Sequence, residues 1–159
     1  YTGQDQLGAN VLNNEKVLEN LGIFPALNLV YSVTENQNFR FAYGRTIARP
    51  SFKELSYAEI FDPITGRTFV GGLFQDADNA TGIVYWDGEL TSTDIHNIDF
   101  RWEVFPSKGR TVSISAFYKK FINPIEIIQY ATQPGAFQPR NVGDGQVLGG
   151  EFEIRENLS

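Results

Sequence analysis

The 159-residue sequence contains no cysteine, no methionine and a single histidine. Without cysteine there are no disulfides, no thiolate metal sites and no thiol nucleophile, a composition that suits a chain crossing an oxidising compartment. His96 alone rules out a histidine-rich metal site within these residues, and at the mouth of a strand it makes no convincing Ser–His–acid grouping. No apolar run reaches the roughly 20 residues of a membrane helix. Positive charge is scarce: 13 Lys and Arg against 19 Asp and Glu leave a net charge of −6. That argues against a broad nucleic-acid surface. No two carboxylates stand out as a catalytic pair. Gly71-Gly72 lacks the lysine and the strand–loop–helix setting of a phosphate loop. No enzyme and no cofactor are expected. The chain lacks a signal peptide, but it starts at Tyr1 in a polar stretch and reads as a piece of a longer protein, so this says nothing about compartment.

What is present is aromatic and alternating. Phe, Trp and Tyr make up 14% of the residues. From Asn97 to Val104 the chain alternates without a break: Ile98, Phe100, Trp102 and Val104 are apolar, while Asn97, Asp99, Arg101 and Glu103 are polar. After a turn at Pro106–Arg110, the apolar set Val112, Ile114, Ala116 and Tyr118 alternates with Thr111, Ser113, Ser115, Phe117 and Lys119. A period of two sends the two sets to opposite faces of a strand. A soluble half-buried sheet permits such a pattern. A membrane barrel, with lipid outside and water inside, requires it.

Five strands are expected, at about Phe24–Val33, Phe39–Thr46, His96–Val104, Thr111–Phe121 and Val147–Arg155. The fold class is all-β, an antiparallel meander forming part of a transmembrane β-barrel with long extracellular loops. The chain then divides into a loop (1–23), a hairpin (24–46), a long irregular loop (47–95), a second hairpin (96–121), a loop (122–146) and a last strand (147–155). Pairing Val33 with Phe39, Tyr31 with Phe41 and Leu29 with Tyr43 keeps apolar residues together in the first hairpin. Val104 with Val112, Trp102 with Ile114, Phe100 with Ala116 and Ile98 with Tyr118 does so in the second. Short turns then fall on one side and long connections on the other, as in outer-membrane barrels. Ser51-Phe-Lys-Glu54 reads as a capping box able to start one helical turn, and Asn14–Leu21 as a weaker helix candidate.

Several segments, taken in order, resemble the TonB-dependent receptors of Gram-negative outer membranes. These are FRFAYGRTIARPSFKEL (Phe39–Leu55), GELTSTDIHNIDFRWEVFP (Gly88–Pro106), SISAFYKKFINPIE (Ser113–Glu126) and GGEFEIRENL (Gly149–Leu158). The resemblance covers most of the chain from Phe24 onward. It implies part of a barrel of about 22 strands, located in the cell outer membrane. It also implies a plug domain and the TonB complex as partners through a missing N-terminal part. The parent protein would import a nutrient ligand such as an oligosaccharide or an iron chelate. A soluble all-β carbohydrate-binding module is the alternative.

On this reading Phe39, Phe41, Tyr43, Ile98, Phe100, Trp102, Val104, Ile114, Tyr118, Phe152 and Ile154 face outer-membrane lipid. Arg40, Arg101, Glu103, Lys119, Glu151 and Glu153 face the lumen, either meeting a plug or a passing solute or simply pairing with one another and with water. Among the aromatics of the long loop, Tyr85 and Trp86 are candidates to stack on a small-molecule or oligosaccharide ligand, or else pack the loop on itself. Asp76-Ala-Asp78-Asn79 departs from a calcium loop at its fifth and sixth positions. No metal site is expected.

Overall fold

The structure, a computed structural model, describes residues 3–4, 11–14, 16–19, 21–78 and 80–156. Among the described residues there is no helix. In chain order the strands are β1 (Gly3–Gln4), β2 (Val11–Leu12), β3 (Ala26–Thr34), β4 (Gln37–Ala48), β5 (Glu59–Asp62), β6 (Arg67–Val70), β7 (Gln75–Asp78), β8 (Ile83–Asp87), β9 (Thr93–Val104), β10 (Arg110–Ile122), β11 (Ile125–Gln129), β12 (Ala136–Asn141) and β13 (Gly145–Glu156). They fall into two units. A sheet unit comprises Gly22–Ile47, Asp94–Ile122 and Asp144–Ser159; a loop unit comprises Tyr1–Leu21, Ala48–Thr93 and Asn123–Gly143.

The sheet unit holds the five expected strands in the order β13-β10-β9-β4-β3. Its long strands form an antiparallel meander that does not close, leaving β3 and β13 as edges among the described residues. The second hairpin has the expected register, with Val104 opposite Val112, Trp102 opposite Ile114, Phe100 opposite Ala116 and Ile98 opposite Tyr118. The first is corrected by two residues: Tyr31 lies opposite Phe39, Leu29 opposite Phe41 and Leu27 opposite Tyr43. A two-residue slip keeps every side chain on its face, so alternation cannot choose between the two registers. The turn chooses. It tightens onto Glu35-Asn36, with the Asn36 N–H donating to Thr34 Oγ1 at 3.3 Å and a bulge between Ser32 and Thr34.

The burial of this sheet is the reverse of a soluble one. Its apolar face is open, with Leu148 79% and Phe152 66% exposed. Phe39 stacks on Phe100 at 5.5 Å and lies 6.2 Å from Trp102. Tyr43 and His96 lie on that same face and share a hydrogen bond of 2.9 Å. The buried residues are instead Glu103 and Ser113, both on the charged face.

The loop unit corrects a second expectation. The supposedly irregular stretches contain six short strands. β5, β6, β11 and β12 form a four-stranded sheet of order β11-β12-β6-β5, and β7–β8 is a separate hairpin. β6 and β12 pair in parallel through Thr68–Ala136 and Phe69–Phe137, so two connections far apart in sequence fold as one body. Val70, Trp86 and Ala136 form its core, with Phe74, Tyr85 and Tyr130 packed around them.

The Gln138 side chain, 1% exposed, holds this body together. Its Nε2 donates to the carbonyls of Gly71 (3.0 Å) and Phe74 (2.8 Å), and its Oε1 accepts from the Tyr130 hydroxyl (3.0 Å). Gly71 is bare because the chain at Ser56 runs against it: a Cβ there would collide with the Ser56 carbonyl.

The capping box forms reciprocally. Glu54 Oε2 accepts the Ser51 N–H at 2.6 Å and Ser51 Oγ accepts the Glu54 N–H at 3.3 Å. It closes a single turn, with no helix following. Over Asn14–Leu21 the described residues are not helical, and Asn14 has φ 57°, in the left-handed region that breaks a helix.

Candidate functional site

The charged face of the sheet carries a continuous ladder of ion pairs. Arg40 on β4 donates through Nε to Glu103 on β9 at 2.6 Å, and Arg101 Nε donates to the other oxygen of Glu103 at 3.0 Å. Arg101 Nη2 reaches Glu153 on β13 at 2.9 Å, and Glu153 also accepts from Arg155 Nε at 2.5 Å. The Arg101–Glu153 bridge crosses β10, whose residues at those levels are Ser113 and Ser115. Short side chains there leave room for the bridge, and its cover buries Ser113 to 2% exposure. On the same face, the Phe117 ring lies against Gly149, where any Cβ would clash with it. The wall is therefore polar and nearly self-neutralising.

The loop unit carries an apolar cavity of about 280 Å³. Ile60, Phe69, Ile127, Phe137 and Pro139 form its walls, and Ser51, Lys53, Glu54 and Ser56 its polar rim. Phe69 stacks on Phe137 at 5.7 Å, and the Arg67 guanidinium sits over the Phe137 ring at 5.6 Å.

Two hairpin turns in this unit share one design. In Asp62-Pro-Ile-Thr65-Gly66 and Asp78-Asn-Ala-Thr81-Gly82, the Asp Oδ1 accepts a backbone N–H two residues on, at 2.9 and 2.8 Å. Oδ2 accepts the Thr hydroxyl at 2.6 and 2.7 Å. A glycine at φ 67° or 71° completes each turn. The Thr hydroxyls, aided by the backbone N–H groups, hold both carboxyls below the ordinary aspartate range. Both oxygens of Asp78 are thus used inside its turn. Burial pushes the Tyr130 phenol above its ordinary value. Among the described residues no group of three or more His, Cys, Asp or Glu could hold a metal ion.

A family model described as "TonB dependent receptor-like, beta-barrel" matches residues 1–159. The chain belongs to the TonB-dependent receptor β-barrel family. That family is one of outer-membrane transport receptors rather than enzymes. Solved TonB-dependent receptors share the fold. The siderophore receptor PirA from Pseudomonas aeruginosa aligns at 16% identity and TM-score 0.63, over 86% of this chain and 25% of that one. The ferric enterobactin receptor PfeA from the same organism, solved with enterobactin, aligns at 19% identity and TM-score 0.54, over 81% and 19%. This chain therefore spans about a quarter or less of those receptors. No curated protein sequence matches it.

Within this TonB-dependent receptor segment, four of the expected polar-face residues, Arg40, Arg101, Glu103 and Glu153, come together in the ladder, and Arg155 extends it. Lys119 and Glu151 share their face by register but stay exposed and outside the ladder. Trp86 is buried, edge-on to Phe74 at 6.3 Å and to Tyr130 at 5.4 Å, as a core residue of the loop unit. Tyr85 packs beside it and stays half-exposed. The cavity walls on β5, β6, β11 and β12 were not singled out as a site from sequence. Their assembly depends on a parallel pairing that no local pattern announces.

Proposed function

We propose that this chain is part of the barrel wall and the outer loops of an energy-coupled receptor that imports a nutrient ligand across the outer membrane. The observation that carries this is the inverted burial of the sheet unit: Phe152 and Leu148 open to the surroundings, Glu103 and Ser113 buried on the charged face. A soluble carbohydrate-binding module would bury the first pair and wet the second. Lipid covers the apolar face, and the ladder of Arg40, Glu103, Arg101 and Glu153, with Lys119 and Glu151, lines the lumen. The remainder of the parent chain supplies the plug and the contact with TonB. The ligand we propose is an iron chelate, the kind of solute the fold relatives are named for. Of the two loop aromatics, Tyr85 is the one left with ring surface to offer a ligand, and Trp86 acts as its support.

The test is topology in the complete receptor. It should sediment with outer membranes. A cysteine replacing Ile64, which is 93% exposed in the loop unit, should react with an impermeant maleimide on intact cells. One replacing Ser107, in the short turn, should react only after permeabilisation. A soluble product, or the opposite labelling order, would refute the proposal.

A further inference from the structure

The apolar face of the barrel sheet is bounded at both ends by charge. Cross-strand partners share a face, so the register puts His96, Lys120 and Gln146 on the face that carries Phe100, Ala116 and Gly150. Arg45 joins them by its parity with Tyr43, and its Nη2 donates to Asp94 at 2.9 Å. Lys120 Nζ lies 3.5 Å from Asp144. At the other end Arg110 lies opposite Glu156, and its Nε donates to that carboxylate at 2.8 Å. Between these ends the face has no charge on β10 or β13. It carries Val112, Ile114, Ala116 and Tyr118 on one strand, and Leu148, Gly150, Phe152 and Ile154 on the other.

We infer that the two charged ends lie in the two headgroup layers of one bilayer, and that its hydrocarbon fills only the interval between them. An ion pair facing lipid is costly inside hydrocarbon. Arg45–Asp94 and Lys120–Asp144 therefore mark one boundary and Arg110–Glu156 the other. The spacing fits. Ten residues separate Arg110 from Lys120, about 33 Å along the strand at roughly 3.3 Å each. A barrel tilt of about 35–45° reduces this to about 23–27 Å of height, which is that of a barrel's apolar band. Ten residues likewise separate Glu156 from Gln146 on β13. The phenols at the Lys120 end agree. Tyr43 shares its hydrogen bond of 2.9 Å with His96, and Tyr118 donates to Gln146 Oε1 at 3.2 Å. Each ring sits at the edge of the apolar interval with its hydroxyl bonded into the polar row, as in an interfacial aromatic belt. The charges set these boundaries, independently of how exposed the apolar side chains are. By the placement of the short turns, the Lys120 end is the extracellular one.

This inference rests on the proposed barrel wall, and the experiment separates the two. The complete receptor, reconstituted in phosphatidylcholine vesicles, carries one nitroxide side chain at position 112, 114, 116 or 118. All four positions share one face of β10, so they differ in depth alone. The ratio of oxygen to nickel-chelate collision rates should peak at 114 and 116 and be lower at both 112 and 118. In urea titrations of the vesicle-bound receptor, Ala116→Arg should lower the folding equilibrium constant by about 30- to 700-fold, and Gln146→Arg by no more than about fivefold. A ratio that climbs steadily towards 112 or towards 118 would overturn the boundaries and leave the face in lipid. So would equal costs for the two arginines. A ratio uniformly low along β10 would overturn the boundaries together with the barrel-wall reading.

Discussion

Replacing Gln138 should unfasten the loop unit and leave the barrel sheet intact. The side chain is 1% exposed and makes three hydrogen bonds, to the Gly71 and Phe74 carbonyls and from the Tyr130 hydroxyl. Gln138→Leu keeps roughly the same volume and removes all three. The Gly71 carbonyl retains the Phe74 N–H at 3.1 Å. The Phe74 carbonyl loses its Gln138 bond, and the Tyr130 hydroxyl loses its acceptor while keeping the Asp87 N–H it accepts at 3.1 Å and the Arg140 side chain beside it. Net hydrogen bonds are worth roughly 1 kcal/mol each, and an unsatisfied buried partner costs about 1–3 kcal/mol. The unit should therefore lose about 2–4 kcal/mol. At about 1.4 kcal/mol per factor of ten, that is roughly 30- to 1,000-fold faster opening-limited hydrogen exchange. The reporters are the Thr68 N–H, bonded to Gly135 O at 3.0 Å, and the Leu73 N–H, bonded to Ser56 O at 3.1 Å. Amides of β9 and β10 should keep their protection. Unchanged exchange at Thr68 and Leu73, or equal loss in β9 and β10, would refute the reasoning.

Gly71→Ala should destabilise the loop unit by about 1–3 kcal/mol, because its Cβ would meet the Ser56 carbonyl in a packed site; the same hydrogen-exchange reporters measure it. Asp62 and Asp78 have folded pKa values below their unfolded ones, so their stabilisation is present above the unfolded value and is lost as pH falls through the folded one. The protection of the Gly66 and Gly82 amides, bonded to the Asp62 and Asp78 carbonyls, should fall on acidification once the intrinsic pH dependence of exchange is divided out. Asp78→Asn should flatten that response at Gly82. In the polar face, Glu103→Gln leaves Arg40 without its partner and should cost about 1–2 kcal/mol in barrel unfolding. Glu151→Gln, outside the ladder, should stay within about 0.5 kcal/mol.

Strand periodicity made the five long strands and their faces legible, because each strand alternates for nearly its whole length. The second hairpin's register followed from matching apolar residues across the turn at Pro106–Arg110, and the structure keeps it. The first did not, because slips by two are silent in alternation and the bulge beside Val33 has no signature. The loop strands were illegible for two reasons. β5, β6 and β7 are four residues each, too short for a period to register, and β6 pairs with β12, nearly seventy positions away. The twin Asp-x-x-Thr-Gly turns are visible as letters, but the acidic residues of the second also resemble part of a calcium loop, which hides its likeness to the first. Alternation put the six polar residues on one face of the sheet, and the register has them sharing that face. That Arg101 skips β10 to reach Glu153, while Lys119 and Glu151 stand apart, needs the sheet order and side-chain reach together. Trp86 looked available as a loop aromatic, and only the folding of the loop on itself makes it core.

The central claim is that adjacent residues Phe100 and Arg101 face lipid and water respectively. The direct measurement is fluorescence quenching in the complete receptor reconstituted in vesicles, with a single labelled cysteine at position 100 or 101. The label at 100 should be quenched by nitroxide-bearing lipid and shielded from iodide, and the label at 101 should behave the other way round. Labels quenched alike by both agents, or the reversed pattern, would contradict the assignment of this sheet to a membrane barrel wall.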